Sequence, residues 1–153
     1  MRIYAEHYAQ DIDEWAMTGL LHDMDYEKHP TLDEHPMVGV SVLREKGYPE
    51  HVLSAILGHS DESGVPRESQ LAKALYAVDE LSGFITAVAF VRPTGFEGMS
   101  AKSVKKKLKD KKFAAAINRE DILSGAADLG VDLDEHIRRV IEGMQRYAER
   151  LGF

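Results

Sequence analysis

The residues of this sequence whose types could carry out chemistry begin with the neighbouring pair His22 and Asp23. The pair ends an apolar run, Trp15 to Leu21, that has the character of a helix. An imidazole nitrogen and a carboxylate oxygen can together bind one divalent cation. A buried aspartate that binds no metal must be paired or hydrogen-bonded. The pair alone is also compatible with a solvated turn carboxylate beside a hydrogen-bonded core histidine, so its meaning depends on further ligands.

Three further polar residues stand where a helical core would not favour them. His35 precedes Pro36 and is followed by Gly39, a residue that would let another backbone or a ligand come close. His59 comes directly after a predicted helix end, and Asp61, two residues later, is a candidate partner to orient its imidazole. Asp79 lies in the middle of the most apolar predicted helix, where its alternative role is a hydrogen bond to a neighbouring hydroxyl or backbone group.

The order and setting of these five residues resemble the HD-domain metal-dependent phosphohydrolase superfamily, specifically its small HDIG-type members. The motifs that carry the resemblance extend from Trp15 to about Arg92. The resemblance implies that His22, Asp23 and Asp79 are metal ligands. It implies that His35 and His59 bind a second metal or the substrate phosphate, which would give catalytic roles to Asp23, His35 and His59.

The expected cofactor is a divalent metal held without thiolates, because the sequence contains no cysteine. Manganese, iron, nickel, cobalt, zinc and magnesium all suit such ligands, as one ion or two. A cation of this kind makes hydroxide available near neutral pH and polarises a phosphoryl oxygen. The resemblance therefore implies a metal-dependent phosphohydrolase, a phosphomonoesterase or phosphodiesterase, acting on a small phosphorylated substrate such as a nucleotide.

One departure from the family pattern leaves an alternative open. The pattern has a further histidine on a helix well upstream of the His-Asp pair. His7 is only 15 residues before His22, too close by the usual spacing, and we do not expect it to be a ligand. Either the natural chain starts upstream of Met1 or the ligand set lacks one member. The alternative function is therefore a catalytically impaired HD-fold module that binds an anion or a nucleotide.

The elements that must position these residues are almost all helical by their apolar spacing, and no segment alternates as a strand would. The sequence predicts an all-α, single-domain HD-type helical bundle over residues 1–153, with a core at 11–92 and a C-terminal helical extension at 100–151. The first predicted helix ends near Ala9. The later ones cover Trp15–Leu21, a segment from Asp33 or Glu34 to Gly47, His51–Leu57, about Glu68–Val91, Arg119–Leu129 and Asp132–Leu151.

Charge and composition restrict the expected partners. The formal net charge of −7 argues against general nucleic-acid binding, and no apolar run approaches the length of a membrane span. We therefore expect a cytoplasmic protein whose oligomeric state the sequence leaves open. The segment 100–112 is rich in lysine; it indicates a solvated helix face, with a rim for an anionic substrate or a nucleic acid as the weaker alternatives. Three histidines without site context, His29, His51 and His136, are predicted to lie at the surface.

Overall fold

The computed structural model describes all residues from Met1 to Phe153 and contains eight α-helices and no β-strand. This confirms the predicted all-α fold class. The helices are α1 (Arg2–His7), α2 (Ile12–Leu21), α3 (Met37–Glu45), α4 (Glu50–Leu57), α5 (Gln70–Phe90), α6 (Ala101–Leu108), α7 (Arg119–Leu129) and α8 (Leu133–Gln145). Short 3-10 helices cover Asp61–Ser63 and Ala148–Leu151. None of the helices is both long enough and apolar enough to cross a membrane.

The chain forms two compact units, Met1–Tyr76 and Ala77–Phe153. The prediction of one domain over residues 1–153 stays a prediction. The candidate ligands His22, Asp23, His35 and His59 all belong to the first unit, and Asp79 belongs to the second.

In the first unit, α1 packs on α2, α2 on α4, and α3 on α4. Asp11 caps the start of α2, since its side chain accepts hydrogen bonds from the backbone N–H groups of Asp13 and Glu14, both at 2.9 Å. The helix ends at Leu21, and His22, the first residue of the His22–Asp23 pair, is its C-cap. The buried core of this unit includes Tyr4, Trp15, Val40, Leu43, Val52, Leu53 and Ile56.

One helix of the first unit begins later than expected. The sequence indicates a start at Asp33 or Glu34, whereas α3 starts at Met37 and the residues before it form turns. Pro36 occupies the position just before the helix, where a residue without an amide hydrogen loses no helical hydrogen bond. The turns therefore place His35 outside the helix.

In the second unit, α8 packs on both α6 and α7. Helix α7 approaches α5 very closely, because a Cβ added at Gly125 would lie 2.7 Å from the Cα of Ala77. The last long helix ends at Gln145 and is followed by a separate 3-10 turn, whereas one helix to Leu151 was predicted. Tyr147, with φ −122° and ψ 17°, leaves the helical conformation between them.

The prediction that His136 lies at the surface is wrong. Its side chain is fully buried, and Nε2 lies 2.8 Å from the carbonyl oxygen of Ala77 on α5. Helix α8 buries His136, Ile137, Val140 and Ile141 along one stripe, so the histidine occupies a core position of an amphipathic helix. Its register within α8, not its neighbours in sequence, determines its burial.

Candidate metal centre

Three ligand atoms from three separate segments of the first unit meet at one point. Nε2 of His35 lies 3.2 Å from Nε2 of His59 and 3.3 Å from Oδ1 of Asp23, and Nε2 of His59 lies 3.5 Å from the same carboxylate oxygen. Asp23 follows α2, His35 precedes α3, and His59 follows α4. Helix ends that are distant along the chain therefore bring these side chains together.

The other ring nitrogen of each histidine already has a hydrogen-bond partner. Nδ1 of His35 lies 2.7 Å from Oδ1 of Asp25, and Nδ1 of His59 lies 2.5 Å from the carbonyl oxygen of Ile56. Both partners can only accept, so each Nδ1 must carry the proton and donate it. In the neutral rings, Nε2 then presents a lone pair, and two such lone pairs face each other and a carboxylate oxygen. A proton on one Nε2, which makes these contacts hydrogen bonds, or a cation bound between the atoms offsets their repulsion.

His22 extends the same cluster. Its Nδ1 donates to the carbonyl oxygen of Gly19 at 2.8 Å, and its Nε2 lies 3.4 Å from Oδ2 of Asp23. The ring meets that of His59 edge to face, with centroids 5.1 Å apart. All three histidines therefore direct Nε2 towards Asp23 while Nδ1 is held by the protein.

Asp23 is the charged and accessible member of the cluster. Its side chain is 49% exposed, whereas those of His35 and His59 are 10% and 6% exposed. The hydrogen bond from His59 contributes most to holding the pKa of Asp23 below its usual range; the charges of His22, His59 and His35 act in the same direction, and burial opposes them. The site thus has a floor of buried imidazoles and an ionised carboxylate at its mouth.

The donor set fits a divalent metal by both chemistry and spacing. Nitrogen and carboxylate oxygen ligands bind such metals at about 2.0–2.1 Å, so neighbouring ligand atoms of a tetrahedral site are roughly 3.4 Å apart and those of an octahedral site roughly 3.0 Å. The observed separations of 3.2, 3.3 and 3.5 Å agree best with the tetrahedral value. His35, His59 and Asp23 therefore have the spacing of one face of a metal coordination sphere.

Asp25 is a site residue that the sequence reasoning missed. Its side chain is 4% exposed, and its carboxylate accepts hydrogen bonds from His35 Nδ1 and, at 2.6 Å, from the backbone N–H of Gly39. A Cβ at Gly39 would lie 2.9 Å from Cγ of Asp25, so the glycine is needed for a close approach, as expected, and the approaching group is this carboxylate. The signal for it in the sequence was a second acidic residue only two positions after Asp23.

The prediction that Asp61 orients His59 is wrong. Asp61 instead pairs with Arg67, whose Nη1 lies 2.5 Å from Oδ1 and also donates to the carbonyl oxygen of Gly58 at 3.1 Å. The Arg67 guanidinium lies 3.8 Å from the ring centroid of Tyr76. His59 is instead oriented by the carbonyl of Ile56 at the end of α4, which lies within reach of the ring and also accepts the backbone N–H of His59 at 3.3 Å.

The remaining histidines of the first unit have other surroundings. His7 is exposed and its ring lies 4.8 Å from that of Tyr8, which agrees with the expectation that it is not a ligand. His51 is 54% exposed and pairs with Glu14, and His29 is partly buried beside Glu34. Asp79 lies on α5 in the second unit, and its role as a ligand stays a prediction.

Comparisons with known proteins identify the family of the chain. A search of curated proteins and a search of solved structures found no match. A family model described as HD domain matches residues 1–83, which is more than half of the chain and includes all five candidate ligands. HD domains are typically metal-dependent phosphohydrolases and bind divalent metals. The chain therefore belongs to the HD domain family.

Proposed function

We propose that this protein is a metal-dependent phosphohydrolase that acts on a small phosphorylated substrate, with nucleotides as the first class to test. The observation that carries the proposal is the triangle of His35 Nε2, His59 Nε2 and Asp23 Oδ1, whose sides are 3.2 to 3.5 Å. Three electron-pair donors at this spacing can hold a cation among them. Membership of the HD domain family supports a hydrolytic use of that cation.

The proposed ligands are His22, Asp23, His35, His59 and Asp79. The first four are supported by their convergence in the first unit, and Asp79 is supported by its place in the family pattern. When bound, a divalent metal supplies a Lewis acid for a phosphoryl oxygen and a hydroxide nucleophile near neutral pH. The ligand atoms suit manganese, iron, nickel, cobalt or zinc, as one ion or two.

The side chains of the chain itself position and charge the site. Asp25 keeps the proton of His35 on Nδ1, and the carbonyls of Gly19 and Ile56 do the same for His22 and His59. The imidazoles need little reorganisation on binding, because these hydrogen bonds already fix their rings. Asp23 is ionised at neutral pH, and its lowered pKa keeps it ionised in more acidic solution. Its exposure leaves one side of the site open to a phosphate group.

The test is hydrolysis by purified protein loaded separately with Mn²⁺, Fe²⁺, Ni²⁺, Co²⁺ and Zn²⁺. A chromogenic phosphomonoester, a chromogenic phosphodiester and a panel of nucleoside phosphates distinguish the two reaction types. We expect metal-dependent turnover that Asp23→Ala lowers by on the order of 100-fold or more. Asp33→Ala removes an exposed carboxylate of a neighbouring turn and is the matched control, with activity close to that of the natural sequence.

Two results would decide against the proposal. Activity that survives Asp23→Ala would show that the cluster does not carry the reaction. Binding of metal and of phosphate esters without turnover, under every metal, would instead favour the alternative of an HD-fold module that binds an anion or a nucleotide.

A further inference from the structure

A cavity of about 560 Å³ lies in the second unit, beside the first turns of α6 and α8. None of its residues is a candidate metal ligand, and all of them lie beyond the residues matched by the HD domain model. Its polar lining consists mainly of cationic side chains and its apolar lining of two small or flexible ones. The cationic side chains are Lys102, Lys105 and Arg138, the single carboxylate is that of Asp134, and the apolar side chains are Met99 and Ala101.

One cation of the cavity is held in place by the single carboxylate there. Nζ of Lys105 lies 2.7 Å from Oδ1 and 2.8 Å from Oδ2 of Asp134. Of these two contacts only the one to Oδ2 is a hydrogen bond, so the ammonium group keeps hydrogens that it can donate to a ligand. The pair is close to neutral in total charge, yet it fixes a hydrogen-bond donor in the wall of the cavity.

The other two cations are not neutralised. Lys102 and Arg138 are exposed, and neither forms an ion pair in the structure. With Lys105 and Asp134 cancelling, the lining has two uncompensated positive charges. The whole chain has a formal charge of −7, so this positive charge is a local property and not a general attraction for anions. A planar guanidinium with an ammonium beside it is well suited to phosphate oxygens.

The size and the apolar lining indicate more than an inorganic ion. Sites for small organic ligands typically occupy about 300–1,000 Å³, and this cavity falls within that range. Met99 and Ala101, which are both mostly buried, supply apolar surface for the carbon part of a ligand. We propose that this cavity binds a small organic phosphate, with Arg138, Lys102 and a remaining donor of Lys105 contacting the phosphate oxygens.

The experiment follows backbone amide shifts by NMR in the full chain at about 150 mM salt, where general surface attraction is screened. The probes are methylenediphosphonate, whose P–C–P bond resists hydrolysis, and its adenosine conjugate, each without added metal. We expect saturable shifts at residues 99–105 and 134–138 with both probes. The conjugate should bind more tightly, because it also covers the apolar lining.

Matched double variants test the cationic contacts. Lys102→Gln with Arg138→Gln should weaken binding of the conjugate at least tenfold. Lys106→Gln with Lys112→Gln removes the same charge from exposed lysines that do not line the cavity, and should change binding less than twofold. All four positions are exposed, so circular dichroism should show an unchanged fold.

Several outcomes would overturn the proposal. It fails if neither probe gives saturable shifts at these residues, or if both double variants weaken binding equally, since that would indicate only diffuse electrostatic attraction. It also fails if methylenediphosphonate or sulfate binds as tightly as the adenosine conjugate, since the cavity would then take any small anion. None of these outcomes depends on hydrolysis, so the result is separate from that for the metal centre.

Discussion

Replacing Asp25 with asparagine tests whether a buried carboxylate controls the candidate metal centre. The carboxylate accepts two hydrogen bonds, from His35 Nδ1 at 2.7 Å and from the N–H of Gly39 at 2.6 Å. Asparagine has the same shape but only one acceptor oxygen, so its NH₂ group must face one of the two donors. The backbone N–H cannot change, whereas the imidazole of His35 can move its proton. We therefore expect the amide oxygen to face Gly39 and the NH₂ group to face His35.

The consequence for His35 is a change of tautomer. Its Nδ1 must then accept a hydrogen bond, and the proton moves to Nε2, where it blocks the lone pair directed at His59 and Asp23. Loss of such an orienting partner typically costs 10- to 100-fold in metal affinity, or about 1.4–2.8 kcal/mol. Weakening two hydrogen bonds to a charged group should also lower the free energy of unfolding by about 2 kcal/mol.

The assay combines a Co²⁺ titration with nitrogen-15 NMR of the imidazole rings in metal-free protein. The titration gives the dissociation constant, and the ring nitrogen shifts show which nitrogen of His35 carries the proton. Asp33→Asn, which changes an exposed carboxylate in the same way, should leave both readouts unchanged. An Asp25→Asn variant that keeps the proton on Nδ1 and binds Co²⁺ within twofold of the natural sequence would refute this reasoning.

Three further predictions concern close contacts and one buried histidine. Gly39→Ala places a Cβ 2.9 Å from Cγ of Asp25, so we expect weaker metal binding and a loss of about 1–3 kcal/mol of stability, measured by metal titration and urea unfolding. Gly125→Ala places a Cβ 2.7 Å from Cα of Ala77 and should destabilise by at least as much, because a backbone atom cannot yield as a side chain does. Burial lowers the pKa of His136, with the charge of Arg139 adding to this and the bond to the Ala77 carbonyl opposing it. The contribution of its neutral form to stability is therefore fully present above the unfolded-state pKa of about 6.5. This contribution falls as the pH drops from there towards the lower folded-state pKa. NMR titration of the ring and urea unfolding at several pH values measure the change.

Each of these predictions has a clear contrary result. An unchanged urea midpoint for either glycine variant would mean that the helices or the loop relax without cost. For comparison, Gly64→Ala and Gly83→Ala test glycines whose added Cβ would meet nothing within 3.4 Å, although Gly64 also has a positive φ of 67°. A His136 ring that titrates at or above 6.5 would contradict the role assigned to its burial.

The sequence alone could predict the candidate ligands that stand at helix ends. His22, Asp23 and His59 follow an apolar helix within two residues, and a polar residue at such a place is visible in the helical period. His35 was visible through its neighbours Pro36 and Gly39. The pattern of residue types was sufficient there because each residue is positioned by its own helix and not by a distant partner.

The partners of these ligands could not be predicted in the same way. Asp25 reaches His35 only because the turns between them fold the chain back, and turn conformation is weakly encoded in residue type. Asp61 was assigned to His59 from proximity in sequence, but the charged guanidinium of Arg67 attracts its carboxylate more strongly than a neutral imidazole would. The burial of His136 was not predicted because residue type alone does not show whether a histidine on an amphipathic helix lies on its buried or its exposed face.

His22 and His59 share one local device, since each imidazole donates to the carbonyl three residues before it at the end of a helix. Each ring thereby donates to a carbonyl in the last turn of its helix, where carbonyl groups lack the amide partners of a continuing helix; the carbonyl of Ile56 also accepts the backbone N–H of His59 at 3.3 Å. Because this hydrogen bond occupies Nδ1, it also determines that Nε2 is the ring nitrogen available to a cation. At the proposed metal centre, chelation should therefore leave α2, α4 and both rings in place, and the metal-free protein should stay folded and able to bind metal again.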